Sequence, residues 1–458
     1  MATGVALGLE WPGRHARSVF GNSYMNCFGS SRRRFLAASA GMLGTLYTTW
    51  ADHPRSAPPA RSSPVTKKLA VVTTAYHYLS HAYHICGRFL NGYMRDGQYH
   101  YPDFAIAGMH VEQQKTNDLS RELAAKHGFR LFDSPAGALT LGGDKLAVDG
   151  VLLIAEHGDY PYNARLQKLY PRFEMFQKIV EVFRTSCKTV PVFCDKHLSY
   201  DRKQAVKMVA TAKQLSFPLM AGSSLPVTWR RPELELPLGA RVEQAVVLAR
   251  GEIEIYGFHG LEALQCMIER RRGGETGLRR VHFLDGKAVW DYLDERKGMW
   301  DLVEAALSRS PSRNNGDIRE NCRQFDPPPG RPTFLRGPIA FLLDYQDGTH
   351  AAVLILNGHV DDTTFAAKIA DQAKPVSTLF YLPPPPGAAF LEALARRIED
   401  FVSTSKPPYP VERTLLTTAA LDSVLQSRQQ GDKEVLIDVN VKYTAPPDSG
   451  FLRGDYTG

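Results

Sequence analysis

With 458 residues, 43% of them hydrophobic and 22% charged, the chain is long enough to bury the cores of two or three domains. Its net charge of +7 is dispersed, with part of the excess near the N-terminus and part in Glu269-Arg270-Arg271-Arg272, and no basic stripe interleaved with aromatics marks a nucleic-acid surface. Cys27, Cys86, Cys187, Cys194, Cys266 and Cys322 are scattered without C-x-x-C spacing, so no structural metal site is expected.

In chain order, Ser31-Arg32-Arg33-Arg34-Phe35-Leu36 and the small apolar run from there to Tyr47 read as a twin-arginine export signal. That run is too short to span a bilayer well, so no stable membrane span is expected after processing. Met25 is an alternative start. The Pro/Ser/Arg-rich stretch 52–66 reads as a disordered linker. Residues 1–66 are therefore expected to be signal and linker, and the protein to be exported by the twin-arginine machinery, to the periplasm or an equivalent space. This machinery moves folded proteins, which suits a tightly held cofactor.

From Lys67 strands and helices alternate. Apolar runs at 69–73, 104–111, 130–132, 150–155, 190–193 and 217–221 read as strands, and 80–93, 117–127, 172–186 and 202–215 as helices. Asp201 is placed to cap the last of these helices, with Ala205, Val206, Val209 and Ala212 as its buried face. The alternation predicts a doubly wound parallel (Rossmann) sheet over 67–225. Lys196 then falls at the carboxyl edge of the sheet, where such folds bind ligands. Beyond 225 the pattern changes: strands at 243–249 and 281–284, a helix at 292–308, and a hairpin of 338–345 and 350–358 around Gln346-Asp347-Gly348-Thr349. A strand at 379–382, helices at 388–402 and 411–430 and a strand at 434–441 complete it. Residues 226–458 are thus expected to form an α+β domain with a mostly antiparallel open sheet, the overall class being α/β, and Pro383 to Pro386 a stiff loop.

Three segments carry a resemblance. Asp149-Gly150-Val151-Leu152-Leu153-Ile154-Ala155, the triplet Asp195-Lys196-His197 and the run Ile255-Tyr256-Gly257-Phe258-His259-Gly260-Leu261-Glu262 resemble, in order and spacing, the glucose-fructose oxidoreductase/inositol dehydrogenase (Gfo/Idh/MocA) family. The triplet stands at the E-K-P motif of that family, with the lysine kept. The run stands at D-x-G-x-H-x-x-D, with Gly257 and His259 kept, Ile255 at the first aspartate and Glu262 at the last. The resemblance implies hydride transfer between NAD or NADP and a sugar, cyclitol or related polyol, with Lys196 polarising or deprotonating the reacting hydroxyl and His259 as acid or base. It also implies cofactor contacts at Thr73, Ala75, Tyr78, His81, Glu112, Glu156, Asp195 and Lys196, and pairing of two copies through the open sheet. Glu254 is expected on the opposite face of a strand.

The first turn departs from the family. Counting back from His81, the slots of G-x-G-x-x-G fall on Thr73, Ala75 and Tyr78, none of them glycine, and Tyr78 is too large for a close helix–strand contact. Glu112 lies near the position of the ribose-binding acid. A second reading is therefore a non-catalytic periplasmic binding or scaffold protein that keeps the fold without the nucleotide turn. A third is a metal-dependent enzyme drawing on His77, His81, His84, His110 or His157, with Glu156 and Asp159 as oxygen ligands.

Overall fold

The structure, a computed structural model, describes residues 67–454, and the twin-arginine stretch and linker lie outside them. Its first part runs β1 (Lys67–Thr73), α1 (His81–Asn91), β2 (Tyr93–Arg95), β3 (Gln98–His100), β4 (Phe104–Val111), α2 (Ser120–His127), β5 (Arg130–Leu131) and α3 (Pro135–Thr140). It continues with β6 (Gly150–Ile154), α4 (Arg172–Ser186), β7 (Val192–Asp195), α5 (Arg202–Gln214) and β8 (Leu219–Gly222). Six of these strands form a parallel sheet in the order β5-β4-β1-β6-β7-β8. The chain winds outward from β1 to β5 and then crosses back to β6. The carboxyl ends of β1 and β6 therefore flank the point where the winding reverses, the usual ligand crevice of this architecture.

Burial explains the strands. All five residues of β6 and all four of β7 are buried, which is why both read as unbroken apolar runs rather than alternating ones. Asp201 caps α5, accepting from Lys203 N at 2.6 Å and Gln204 N at 3.2 Å. The helix buries Ala205, Met208, Val209 and Ala212; Val206, expected inside, lies on the solvent side and is exposed. A short hairpin, β2–β3, and the helix α3 were not foreseen.

The second part runs β9 (Trp229–Arg231), β10 (Val242–Ala249), α6 (Ile255–Ile268), β11 (Leu278–Asp285), α7 (Lys287–Glu295), α8 (Met299–Leu307) and α9 (Ile318–Gln324). It ends with β12 (Ile339–Tyr345), β13 (His350–Ile355), β14 (Thr363–Ile369), β15 (Val376–Tyr381), α10 (Phe390–Thr404), α11 (Val411–Gln429) and β16 (Val435–Leu436). The eight-stranded sheet has the order β16-β11-β12-β13-β10-β14-β15-β9, and only β10 and β13 pair in parallel. Along β10, Ala245 and Val247 enter the core shared with Phe258 and Leu261 of α6 and Leu421 of α11. Val246 and Leu248, on the other face, pack with Val289, Trp290, Leu293, Met299, Leu302 and Val303 of α7 and α8. The chain thus covers both faces of this sheet itself.

Three expectations are corrected here. The predicted helix 292–308 is two helices, because Gly298 takes φ 81°, a left-handed conformation that breaks the run. The predicted strand 434–441 pairs only at Val435–Leu436. Glu254 is not on a strand at all: it precedes the first turn of α6 and is buried. No helix among the described residues is long and apolar enough to cross a membrane.

Candidate functional site

Lys196 follows β7 immediately. Its N–H donates to Gly222 O at 3.1 Å, and its φ of 64° is a left-handed conformation unusual for a side chain of this size. The side chain is only 2% exposed, and Nζ stands 3.1 Å from Glu156 Oε1. The other Glu156 oxygen takes the guanidinium of Arg172, the first residue of α4. Burial works to push the Glu156 carboxyl up, but Lys196 and then Arg172 outweigh it and hold the group well below the usual carboxylate range. A buried carboxylate between two buried cations is the electrostatic centre of the site.

His197 and Glu254 extend this centre. Arg172 Nη1 lies 3.2 Å from His197 Nε2, and Glu254 Oε1 lies 3.6 Å from the same nitrogen. Burial, followed by Arg172, depresses His197 well below the ordinary histidine value, so its ring is neutral. Burial and then the Glu156 charge raise Glu254 to about 8, so it carries a proton at neutral pH.

The histidines come from three elements. His81 opens α1 and places Nδ1 2.6 Å from Asp195 Oδ2. His157, in the loop after β6, accepts at Nδ1 from His81 N at 3.5 Å, and burial and His81 lower it to about 3. His259 lies on α6 one turn beyond Ile255; burial, then Lys196 and His81, hold it well below its usual value, leaving a neutral imidazole. Lys196, Asp195, His81, Glu156 and His259 are therefore brought into one electrostatic neighbourhood. Ile255 itself offers no polar group, and the carboxyl at this end of α6 is that of the preceding Glu254.

Five buried atoms here, Arg172 Nε, Asp195 Oδ1, His197 Nδ1, Glu254 Oε1 and His259 Nδ1, have no hydrogen-bond partner among the described residues. A buried polar atom left unpaired costs about 1–3 kcal/mol. Hydroxyl groups, which both donate and accept, are suited to satisfy such a set. Chemically, an ammonium that stabilises a developing alkoxide and a neutral imidazole that accepts its proton form an acid–base pair for a hydroxyl.

The first turn is built differently from a nucleotide cradle. Thr73 Oγ1 donates to Ile154 O at 2.8 Å, Gln113 N to Thr74 O at 2.9 Å, Thr74 Oγ1 to Glu156 O at 3.0 Å and Leu119 N to Tyr76 O at 2.9 Å. These bonds carry the chain straight on past β1, with Ala75 and Tyr76 buried. It turns only at His77–Ser80, where Leu79 has φ 62° and Tyr78 is 57% exposed, so Tyr78 does not meet a close helix–strand contact. Ser80 Oγ then accepts from His77 N at 3.2 Å and Tyr83 N at 3.1 Å, while His157 covers His81 N. A pyrophosphate needs those free N–H groups and a close backbone approach. In this arrangement the residues do not fit a dinucleotide. Glu112, the candidate ribose ligand, is exposed and accepts the Tyr160 hydroxyl.

The metal reading finds no site: no group of three or more His, Cys, Asp or Glu side chains placed to hold an ion occurs among the described residues. His77 lies before α1, and His84 is buried, its pKa lowered to about 4 by burial and Arg88. His110 Nδ1 lies 3.1 Å from Phe132 O. Sequence reasoning missed Arg172 and misplaced Glu254. The only signal for Arg172 was a basic residue at a helix start, where the dipole disfavours it unless an anion is near.

The described residues thus combine a doubly wound parallel sheet, with a lysine at its carboxyl edge, and a mostly antiparallel sheet whose helix α6 brings a histidine to that lysine. Solved structures share this fold. GenD2 from gentamicin A biosynthesis, in complex with NAD, superposes with a TM-score of 0.52 at 11% identity, over 83% of this chain and 99% of that one. Myo-inositol dehydrogenase from Lactobacillus casei, in complex with NAD(H) and myo-inositol, gives 0.51 at 12% identity, over 83% and 99%. No protein-family model and no curated protein matches the sequence. The likeness is one of fold.

Proposed function

We propose that this chain binds a small polyhydroxylated molecule, sugar- or cyclitol-like, at Lys196 and His259, and that it does so without a dinucleotide. The observation that carries this reading is the set of unpartnered buried atoms around Lys196, which suits hydroxyl groups, beside a first turn that offers no pyrophosphate cradle. The myo-inositol complex of a protein with this fold supports the ligand class. Lys196 would hold a ligand oxygen by its ammonium, and His259 would accept from a hydroxyl at Nδ1. The twin-arginine pattern supports a place outside the cytoplasm, and retention of an Arg32→Lys/Arg33→Lys variant in the cytoplasm is the matching test.

The test of binding is calorimetry and thermal shift with inositols, aldoses and sugar acids on the wild type, Lys196→Met and His259→Asn. Saturable binding that both substitutions abolish while the fold is kept is the expected result. A panel that leaves the wild type unchanged sinks the reading. Hydride transfer to NAD or NADP is the second reading, favoured by the retention of Lys196 and His259; turnover of any panel member with either nucleotide would replace the first by the second.

A further inference from the structure

The loops that come after β4 and β6 reach across the carboxyl end of β1 and grip one another. The Gln113 side-chain amide pairs with the Asp159 backbone in both directions, Nε2 donating to Asp159 O at 3.2 Å and Oε1 accepting from Asp159 N at 2.9 Å. Beside it, the Tyr160 hydroxyl donates to Glu112 and Lys115 forms an ion pair with Asp159. Gly158 makes this contact possible: with φ 107°, a Cβ there would lie 2.7 Å from the Tyr160 ring and 3.0 Å from Gln113 Oε1. The same loop carries His157, which meets His77 edge to face at 5.2 Å and covers His81 N. The crosspiece and the cap on α1 are therefore one unit.

The space it leaves is small and of the wrong sign. A cavity of about 220 Å³ remains among Ala75, His77, Lys115, Asp118 and Asp159, below the roughly 300–1,000 Å³ that pockets for drug-sized ligands occupy. Two carboxylates, Asp118 and Asp159, line it against the one ammonium of Lys115, which is already paired with Asp159, so a doubly negative pyrophosphate would meet no free positive charge there.

We propose that Gln113–Asp159 and Glu112–Tyr160 form a latch that closes the dinucleotide path across the parallel sheet and holds His157 over the N-terminus of α1. The latch deepens the cofactor-free reading above, because it names the contacts that exclude the nucleotide. Opening it releases His157 from His81 N and clears the way along β1.

The experiment titrates NADH and NADPH, by fluorescence and calorimetry, into the purified chain, a Gln113→Ala/Tyr160→Phe variant and a Gly158→Ala variant, with circular dichroism to confirm folding. The wild type is expected to bind weaker than about 1 mM, and the folded variants at least about tenfold tighter. Wild-type binding in the micromolar range overturns the latch, and so does a pair of folded variants that gain nothing. The polyol titration run on the same samples separates the two claims, since neither latch substitution touches Lys196 or His259.

Discussion

Lys196 Nζ stands 3.1 Å from Glu156 Oε1 with both side chains buried, so the cation at the end of β7 is held by a carboxylate from the end of the neighbouring β6. Removing the carboxylate charge by Glu156→Gln leaves Lys196 and Arg172 facing each other without a counter-ion. A loss of roughly 3–5 kcal/mol is expected. Lys196→Met should cost clearly less, because Glu156 keeps Arg172. Urea unfolding of both variants checks this, and equal losses would contradict the assignment of Glu156 as the shared anion.

Stability should depend on pH from both sides. Glu254, raised from 4.5 to about 8, holds a proton in the fold that the unfolded chain has released, so its contribution is complete below 4.5 and is lost as pH rises through about 8. His157 and His84, lowered from 6.5 to about 3 and about 4, act in the opposite sense, contributing above 6.5 and losing that contribution as pH falls through those values. Glu254→Gln, which cannot release a proton, should flatten the alkaline decline in melting temperature and leave the acid limb as it was. An unchanged alkaline limb would show that Glu254 ionises normally.

Gly257, one of the motif positions kept, has a packing reason. A Cβ there would lie 2.6 Å from the Phe341 ring, where α6 crosses β12. Gly257→Ala should cost about 1–3 kcal/mol through forced displacement of that ring. Phe341→Leu in the same chain should recover part of the loss. Absence of any recovery would point to the backbone of α6 rather than to the ring.

Much of the parallel sheet was legible because β1, β6 and β7 are buried on both faces and so read as plain apolar runs between helices. Lys196 was legible for the same reason, as the first residue after such a run. The partners of Lys196 were not. Glu156, Arg172 and Glu254 lie 40, 24 and 58 positions from it, and only the strand order β1-β6-β7 and the approach of α6 bring them together. Glu254 was misread because Glu252-Ile253-Glu254-Ile255 alternates like a strand, whereas Ile255–Ile268 is a helix buried on nearly every side from Gly257 onward and so shows no one-sided apolar stripe. The second sheet was read least well. β14 is buried at six of its seven positions and shows no alternation, and β9 is only three residues long.

The segment between β11 and β12 folds α7 and α8 over one face of the eight-stranded sheet, and Trp290, Leu293, Met299 and Leu302 fill the space against Val246, Leu248 and Leu354. A chain that supplies its own cover has no need of a second copy to keep that face dry. Its melting temperature should then stay constant when protein concentration is varied a hundredfold or so, whereas a fold completed by a partner melts higher as it is concentrated.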